Sequence, residues 1–456
     1  MSDVLVAAGI SESDAARWAA AGEIEQSAFH AEARATCEYL AEGEGLLERL
    51  PRRPRRGDRE AAAAGAIATA LYVARGRFLR RHAEALYSEL TADLTRPLRD
   101  EEVVYEAAER YPGLAPTRAA MASELERELG AKQGLEIAQG LLLAHVLGSP
   151  RAGAHLINSM LRPTPEARAR LDEFRAAGRV DLGTVHLRRE GRAAVLELRN
   201  PRHLNAEDDT TLAAFECAVD LILLDPAVEV GVLRGGTVDH PRYAGTRIFG
   251  AGLNLTRLYR GRIPFLFFVT RDLGYVHKIF RGLTGVLEDP EDTTEKLWIA
   301  VAETYAIGGA CQLLHVVDHV IATRGARLYL PARKEGIIPG ASNLRLPRSV
   351  GDRLARQAIM SGLEFEAGTP QGDLLCDEVV EPDRVDAAID ARLEALTGSG
   401  LVNAAANRRA LRVGQEPLDV FRRYMSTYAR EQARCYLSPA LVRNLEEHWS
   451  AERRSE

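Results

Sequence analysis

Near Gly178 the chain changes texture, and that change limits what it can fold into more than any other feature. Up to about residue 175, Ala, Glu, Arg and Leu dominate, and apolar residues recur at helical spacing in segments such as AIATALYVARGRFLRRHAEALYSEL. Beyond it, GTVHLRREGRAAVLELRNP alternates apolar and polar residues on both sides of EGR, which reads as a β-hairpin. Strands and helices then alternate. TTLAAFECAVDLILLD reads as a helix, VEVGVLRGG as a buried strand ending in glycines, and KLWIAVAETY as another strand. ACQLLHVVD reads as a short helix, and HVIATRG and ARLYLP as further strands. This alternation with short links predicts an α/β fold with a mainly parallel sheet flanked by helices. After about residue 395 the chain turns helical again, through VNAAANRRALRV and DVFRRYMSTYAREQARCYL. The expected organisation is a helical N-terminal domain over 1–175, an α/β core over 176–395 and a C-terminal helical region over 396–456. The Pro- and Arg-rich run at 51–60 reads as a loop, either simply solvated or a patch for a phosphate or a partner.

A length of 456 residues allows one large domain with one or two smaller ones. The net charge of -6 argues against a nucleic-acid binder, which usually carries a basic face. Five scattered cysteines show no metal-ligand spacing and suit free thiols in a reducing cytoplasm. The first residues lack the charged start and apolar run of a signal peptide, and no apolar stretch approaches the ~20 residues of a membrane span. A cytoplasmic protein that binds neither nucleic acid nor membrane is therefore expected.

Two Gly-rich turns carry the chemistry. The first runs Ile248-Phe249-Gly250-Ala251-Gly252-Leu253-Asn254, and the second Ile307-Gly308-Gly309-Ala310-Cys311-Gln312. Each is expected to follow a strand. Small residues let backbone approach a ligand closely. The second turn opens a predicted helix, where free N–H groups favour developing negative charge. Two such N–H groups from separate turns would make an oxyanion hole, whose loss of one donor costs about 2.7–4 kcal/mol. Either turn alone reads equally as a tight connection. His315 and His319 are four apart, as in a helical zinc pair. However, a strand begins near His319 and no HExxH pattern is present, so no metal is expected.

The neighbours of the two turns make them specific. Asn200-Pro201-Arg202-His203-Leu204-Asn205-Ala206 follows the hairpin; then come AGLNL, AIGGACQLL and KEGIIPGASNLRLPR, in that order. This set, spread over roughly residues 180–395, resembles the crotonase (enoyl-CoA hydratase/isomerase) superfamily. The resemblance implies a spiral of ββα turns, assembly as a homotrimer or hexamer, and an acyl-coenzyme A substrate. It implies an oxyanion hole from the amides of Leu253 and Gly309. It also places Arg202, His203, Leu204, Ala251, Gly252 and Gly308 near CoA. His240, Arg242 and Tyr243 are further candidates there, with Arg242 equally a surface charge.

The chain departs from the family where a hydratase needs its two glutamates. The position three residues after the second glycine of the GG pair is Gln312, which cannot titrate. The position seven residues before Pro339 is Ala332. General acid–base groups contribute roughly 10²–10⁴ in rate, so hydration is excluded and no ionisable side chain is expected beside the reacting carbonyl. KEGIIPGASNLRL, the HPRYAG segment, the AIGGACQLL variant and the long helical N-terminal region resemble one branch of the superfamily that fits this change, cofactor-independent oxygenases of glycopeptide-antibiotic biosynthesis that act on (3,5-dihydroxyphenyl)acetyl-CoA with O2. In such a site Leu253 and Gly309 hold an enolate oxygen, and Gln312 hydrogen-bonds substrate while staying neutral. Ala332 opens a dry pocket, with Leu255 and Ile337 as its walls or as ordinary core. Glu207 and Arg271 are candidates for the phenolic hydroxyls. Glu207 reads equally as a helix N-terminal charge, and Arg271 as half of a surface ion pair. Two other readings stand beside this one. The first is a crotonase-fold thioester hydrolase or isomerase, and the second a non-catalytic scaffold or acyl-CoA sensor.

Overall fold

A computed structural model describes residues 1–26, 28–287, 291–397 and 401–454, with only the backbone of Leu401. The chain divides into two compact units. The first joins residues 1–156 with 259–266 and 425–442, and the second joins 157–258, 267–424 and 443–456.

The first unit is helical. Its two long helices, Phe29–Glu48 and Asp58–Leu90, bury one apolar stripe each, as their spacing predicts. Trp18 is buried, stacks on Tyr39 with ring centroids 5.1 Å apart, and donates its indole N–H to Tyr39 O at 3.1 Å. Residues from all three stretches meet at Lys132. Its ammonium donates to Glu136 at 2.9 Å and to the Tyr436 hydroxyl at 2.8 Å, and that hydroxyl donates to Ile263 O at 2.7 Å.

The second unit holds the sheets. Its strands are β1 (Arg179–Asp181), β2 (Val185–Glu190), β3 (Ala193–Leu198), β4 (Val230–Gly235), β5 (Leu283–Thr284) and β6 (Thr293–Thr294). They continue with β7 (Leu297–Ala302), β8 (Tyr305–Ile307), β9 (His319–Thr323), β10 (Arg327–Tyr329), β11 (Phe365–Glu366) and β12 (Glu378–Val380). The main sheet has the order β1-β2-β3-β4-β7-β9-β12, antiparallel through β1, β2 and β3 and parallel from there on. A smaller sheet has the order β11-β10-β8.

Both faces of the central strands are buried. Leu196, Leu233, Trp298, Ala300 and Val320 face one core, and Val195, Val232, Ile299 and Ile321 face the other. Side chains alternate along a strand, so a strand covered on both sides reads as a continuous apolar run. The helix Leu212–Leu224 packs in the first of these cores, and the helix Val385–Thr397 supplies Ala388 and Ile389 to the second.

Two expectations change here. The helix Pro165–Ala177 belongs to the sheet-bearing unit, and the unit boundary falls at 156 rather than 175. The C-terminal helices do not form a region of their own, because Leu418–Tyr436 contributes to both units. Among the described residues no helix is long and apolar enough to cross a membrane.

Candidate active site

The site is built by loops that leave neighbouring strands of the second unit. Asn205, in the loop after β3, is buried and donates its amide to the carbonyls of Gly236 and Ile248, each at 2.8 Å. Asn200 Nδ2 donates to Ala206 O at 2.9 Å and to Asp208 Oδ2 at 3.2 Å, and Asn254 Nδ2 reaches the same Asp208 oxygen at 3.0 Å. Satisfied buried amides hold the loop against the first Gly-rich turn. Backbone bonds complete the seam: Ala251 N donates to Leu204 O at 3.1 Å, Glu207 N to Gly252 O at 2.6 Å, and Asn254 N to Glu207 O at 2.8 Å.

The first turn does not follow a regular strand, contrary to expectation. Among the described residues an isolated bridge, Thr237 to Arg247, precedes it, and two more, Gly250 to Ala306 and Glu207 to Leu253, fall within it. The second turn follows β8 as expected.

The two turns meet. Gly252 and Gly308 have φ values of 79° and 53°, a region that glycine enters without steric cost. A Cβ on Gly252 would lie 2.7 Å from Ile307 O and only 3.3 Å from Gly309 N. Leu253 and Gly309 are the next residues along each turn, and Gly309 opens the helix Gly309–Leu313. The first amides of a helix have no acceptor within it. Among the described residues neither Leu253 N nor Gly309 N donates a backbone hydrogen bond. Two unengaged amides therefore lie one residue beyond a backbone contact between the turns.

A buried charged group lies directly beside them. Arg271, in the helix Phe265–Leu273, pairs through Nε and Nη2 with both oxygens of Glu207, the Nη2 bond being 3.0 Å. Nη2 also donates to Gly309 O at 2.8 Å, and Nη1 to Gln312 Oε1 at 2.8 Å. The Tyr275 hydroxyl donates to Glu207 at 2.8 Å. Burial would pull the Arg271 guanidinium down, but the Glu207 carboxylate more than reverses this and holds it well above its ordinary pKa. Burial, with Glu207 beside it, likewise pushes the Tyr275 phenol well up. A bidentate arginine–carboxylate contact fixes the geometry of the pair. Arginine has no acceptor, so the oxygen of Gln312 faces Arg271 and its NH₂ points elsewhere. Asp272 is buried next to this group, accepts from Ala341 N at 3.2 Å, and is pushed up by burial.

The sequence reading named Glu207, Arg271 and Gln312 separately, and the structure joins them in one network. Neither alternative for the pair holds: Glu207 bridges to Leu253 rather than starting a helix, and Arg271 is buried, not at the surface. Tyr275 and Asp272 were missed. Tyr275 opens the next helix, Tyr275–Arg281, beyond the non-helical Gly274, and only its spacing of four from Arg271 was available as a signal.

Ala332 is buried at the start of the short helix Ala332–Glu335, and Ile337 and Leu255 are half-buried. Arg202 is exposed, and His203, Leu204 and Ala251 are half-buried along the loop seam. Arg242 is exposed and lies over the Tyr243 ring at 5.3 Å, the Tyr243 hydroxyl is 3.3 Å from that of Tyr305, and His240 packs beside Tyr243. His319 opens β9 and His315 lies outside any helix, so they form no helical pair. Among the described residues no three His, Cys, Asp or Glu side chains cluster as a metal ligand set.

One expectation is corrected outright. An ionisable side chain does stand beside the second turn: Glu335, whose Oε1 would be 3.9 Å from a Cβ on Gly308. It is missed in the sequence because attention falls on the two positions where a hydratase keeps its glutamates, and Glu335 is neither.

Residues 188–413 match the family model for enoyl-CoA hydratase/isomerase. A (3,5-dihydroxyphenyl)acetyl-CoA 1,2-dioxygenase from Amycolatopsis orientalis is 46% identical over 389 residues, spanning 85% of this chain and 89% of that relative. The chain belongs to the enoyl-CoA hydratase/isomerase family. A short-chain-enoyl-CoA hydratase from Clostridium acetobutylicum is 29% identical over 208 residues, covering 45% of this chain and 72% of its own length. Among solved structures, an enoyl-CoA hydratase/isomerase from Xanthobacter autotrophicus Py2 is 19% identical, with a TM-score of 0.49, over 59% of this chain and 95% of that one. Within this enoyl-CoA hydratase/isomerase family the core is the crotonase-like α/β fold, with helices added on both flanks. The dioxygenase match extends over most of those flanks, and the hydratase match covers less than half of this chain.

Proposed function

We propose that this protein is a cofactor- and metal-independent dioxygenase that converts (3,5-dihydroxyphenyl)acetyl-CoA and O2 to 3,5-dihydroxyphenylglyoxylate and CoA. The observation that carries the reading is the meeting of the two turns, 3.3 Å between a Cβ position on Gly252 and Gly309 N. It stands beside positions where a hydratase would keep glutamates and this chain has Gln312 and Ala332. The 46% identity to a dioxygenase of that substrate supports it.

The amides of Leu253 and Gly309 would hold the thioester oxygen as it becomes an enolate, which is where preorganised donors act most strongly. An arylacetyl thioester has an acidic benzylic Cα–H, and its enolate is delocalised into the ring. Such a carbanion reduces O2 directly and forms a Cα–O bond. The peroxide attacks the thioester carbonyl and expels CoA as thiolate. The second Cα–H is then lost as the O–O bond of the cyclic intermediate breaks, leaving the arylglyoxylate. Both atoms of O2 end in the acid, so no external reductant is consumed. A water-poor pocket bounded by Ala332, Leu255 and Ile337 protects the carbanion. Arg271 and Glu207, locked to each other, present a fixed dipole and hold Gln312 so that its NH₂ is free for substrate. Arg202, His203, Leu204, Ala251, Gly252 and Gly308, with His240, Arg242 and Tyr243, make up the coenzyme's side of the site.

The test is oxygen uptake with (3,5-dihydroxyphenyl)acetyl-CoA in the presence of a strong chelator. One O2 consumed per CoA released is expected. Release of CoA with no oxygen uptake would replace this reading with thioester hydrolysis, and tight binding of the ester with no turnover would replace it with a sensor.

A further inference from the structure

The proposed reaction removes two protons from Cα, and neither Gln312 nor Ala332 can take one. We infer that Glu335 is the general base, positioned beside the oxyanion turns to take the Cα protons of the bound thioester. The inference rests on the reading of the site as an enolate-forming one.

Three observations carry it. The first is position. A Cβ on Gly308 would sit 3.6 Å from Gly252 Cα and 3.9 Å from Glu335 Oε1, so the carboxyl lies beside Gly308 in the second turn, at the residue that the first turn also approaches. The amides expected to hold the thioester oxygen belong to the next residue of each turn, and Cα is bonded to that same carbonyl carbon. The second is helix geometry. Glu335 stands three residues after Ala332 on the helix Ala332–Glu335, and residues three apart share a face. The missing hydratase carboxylate at Ala332 is thus offset by one on the same face, one turn along. The third is the absence of any structural task. Glu335 is only 6% exposed, yet among the described residues no hydrogen bond or ion pair reaches its carboxyl. Buried carboxylates are normally paired; an unpaired one next to a reaction centre is available for proton transfer.

Its surroundings give the protonation behaviour. Burial alone pushes Glu335 up to about 7, with no cation opposing it. The titratable group facing it is the Tyr329 phenol, pushed up to about 12 by burial, then by Glu364, and so neutral in the working range. Arg333 and Lys334 on its own helix are exposed. A base of this pKa has its carboxylate form populated at neutral pH and holds a proton well enough to pass it on.

The steps balance. The Glu335 carboxylate takes the first Cα proton, and the C–H electron pair becomes the enolate π bond as the carbonyl electrons move to oxygen. After O2 adds and the peroxide closes on the carbonyl, the carboxylic acid gives that proton to the departing CoA thiolate. The regenerated carboxylate takes the second Cα proton as the C–H pair forms the ketone π bond and the O–O bond breaks. That proton leaves to solvent.

The experiment uses the full chain and (3,5-dihydroxyphenyl)acetyl-CoA carrying two deuterons at Cα, incubated without oxygen in ordinary water. Deuterium washout, read by mass spectrometry, reports proton removal alone. Wild-type washout should rise with pH through about 7 and level off above it. Glu335→Gln should bind the ester with unchanged Kd and lose washout by roughly 10²-fold or more, with Glu335→Asp recovering part of it. Wild-type washout at the same rate on both sides of pH 7 would overturn the inference without recourse to any variant. So would Glu335→Gln exchanging as fast as wild type. Aerobic oxygen uptake by wild type is measured alongside. Washout that needs Glu335 without oxygen uptake would retain the base and sink the dioxygenase; uptake with washout indifferent to Glu335 would do the reverse.

Discussion

A short stretch of chain carries two buried charged regions that are opposites. At Arg345 the buried carboxylate is fully answered: the guanidinium donates to both oxygens of Glu416, at 3.0 and 2.9 Å, and Arg348 adds a third bond at 2.7 Å. Burial would push the Glu416 carboxyl up, but Arg345 and Arg348 reverse this and hold it below its ordinary range. At Glu335 the side chain is almost as deeply buried, and among the described residues no hydrogen bond or ion pair answers it. The first arrangement is what holds a fold together. The second costs stability and is tolerated where a proton has to move. The Glu207–Arg271 pair stands between the two, saturated like Glu416 but placed against the oxyanion turn.

The comparison can be broken most readily at its saturated end. Arg345→Met leaves Glu416 buried with Arg348 alone, and should lower unfolding free energy by roughly 3–5 kcal/mol in a denaturant titration. A change under 1 kcal/mol would mean that the cluster is not what it looks like. Gly252→Ala tests the meeting of the turns. The new Cβ would press on Ile307 O at a φ that alanine avoids, moving Leu253 out of line. The expected loss in kcat/KM is about 10²–10³-fold, equivalent to the removal of one oxyanion donor.

The unsaturated end makes a prediction of opposite sign. The folded pKa of Glu335, about 7, lies above its unfolded value of 4.5, so the native state binds the extra proton between them. Stability contributed by this group therefore falls as pH rises from about 4.5 to 7 and stays low above that. Glu335→Gln should be more stable than wild type by up to about 3 kcal/mol at pH 8, with the gap closing as pH falls toward 4.5. A pH-independent difference would show that the carboxyl is not buried unpaired. The smallest effect belongs to an exposed pair such as Arg356–Asp352, 2.8 Å apart and four residues apart on one helix. Arg356→Ala should leave the midpoint of a denaturant titration essentially where it is in wild type, because solvent screens an exposed pair.

Much of the fold was legible because it rests on local periodicity. The hairpin either side of EGR, the helix Leu212–Leu224 and the apolar runs of β4 and β7 follow from spacing alone. The second turn could be placed because its glycines follow one such strand. Other features had no local signature. Residues 425–442 pack with the N-terminal helices, as Ser426 donating to Ala144 O at 2.6 Å illustrates, yet their helical pattern runs on unbroken from the preceding residues. The first turn is held by single bridges and by the amides of Asn200, Asn205 and Asn254, which a search for strands passes over.

The amino-acid order by itself determined the secondary-structure alternation, the two glycine turns, and the absence of titratable groups at Gln312 and Ala332. These depend on residues that are neighbours along the chain or on what a single side chain can do. Only the tertiary structure decided that Glu207 and Arg271 pair with each other, that Tyr275 joins them, and that among the described residues Glu335 is left without a partner beside Gly308. The energy of a buried charge depends on which groups reach it through space and on how much water is excluded, and neither is set until distant segments pack.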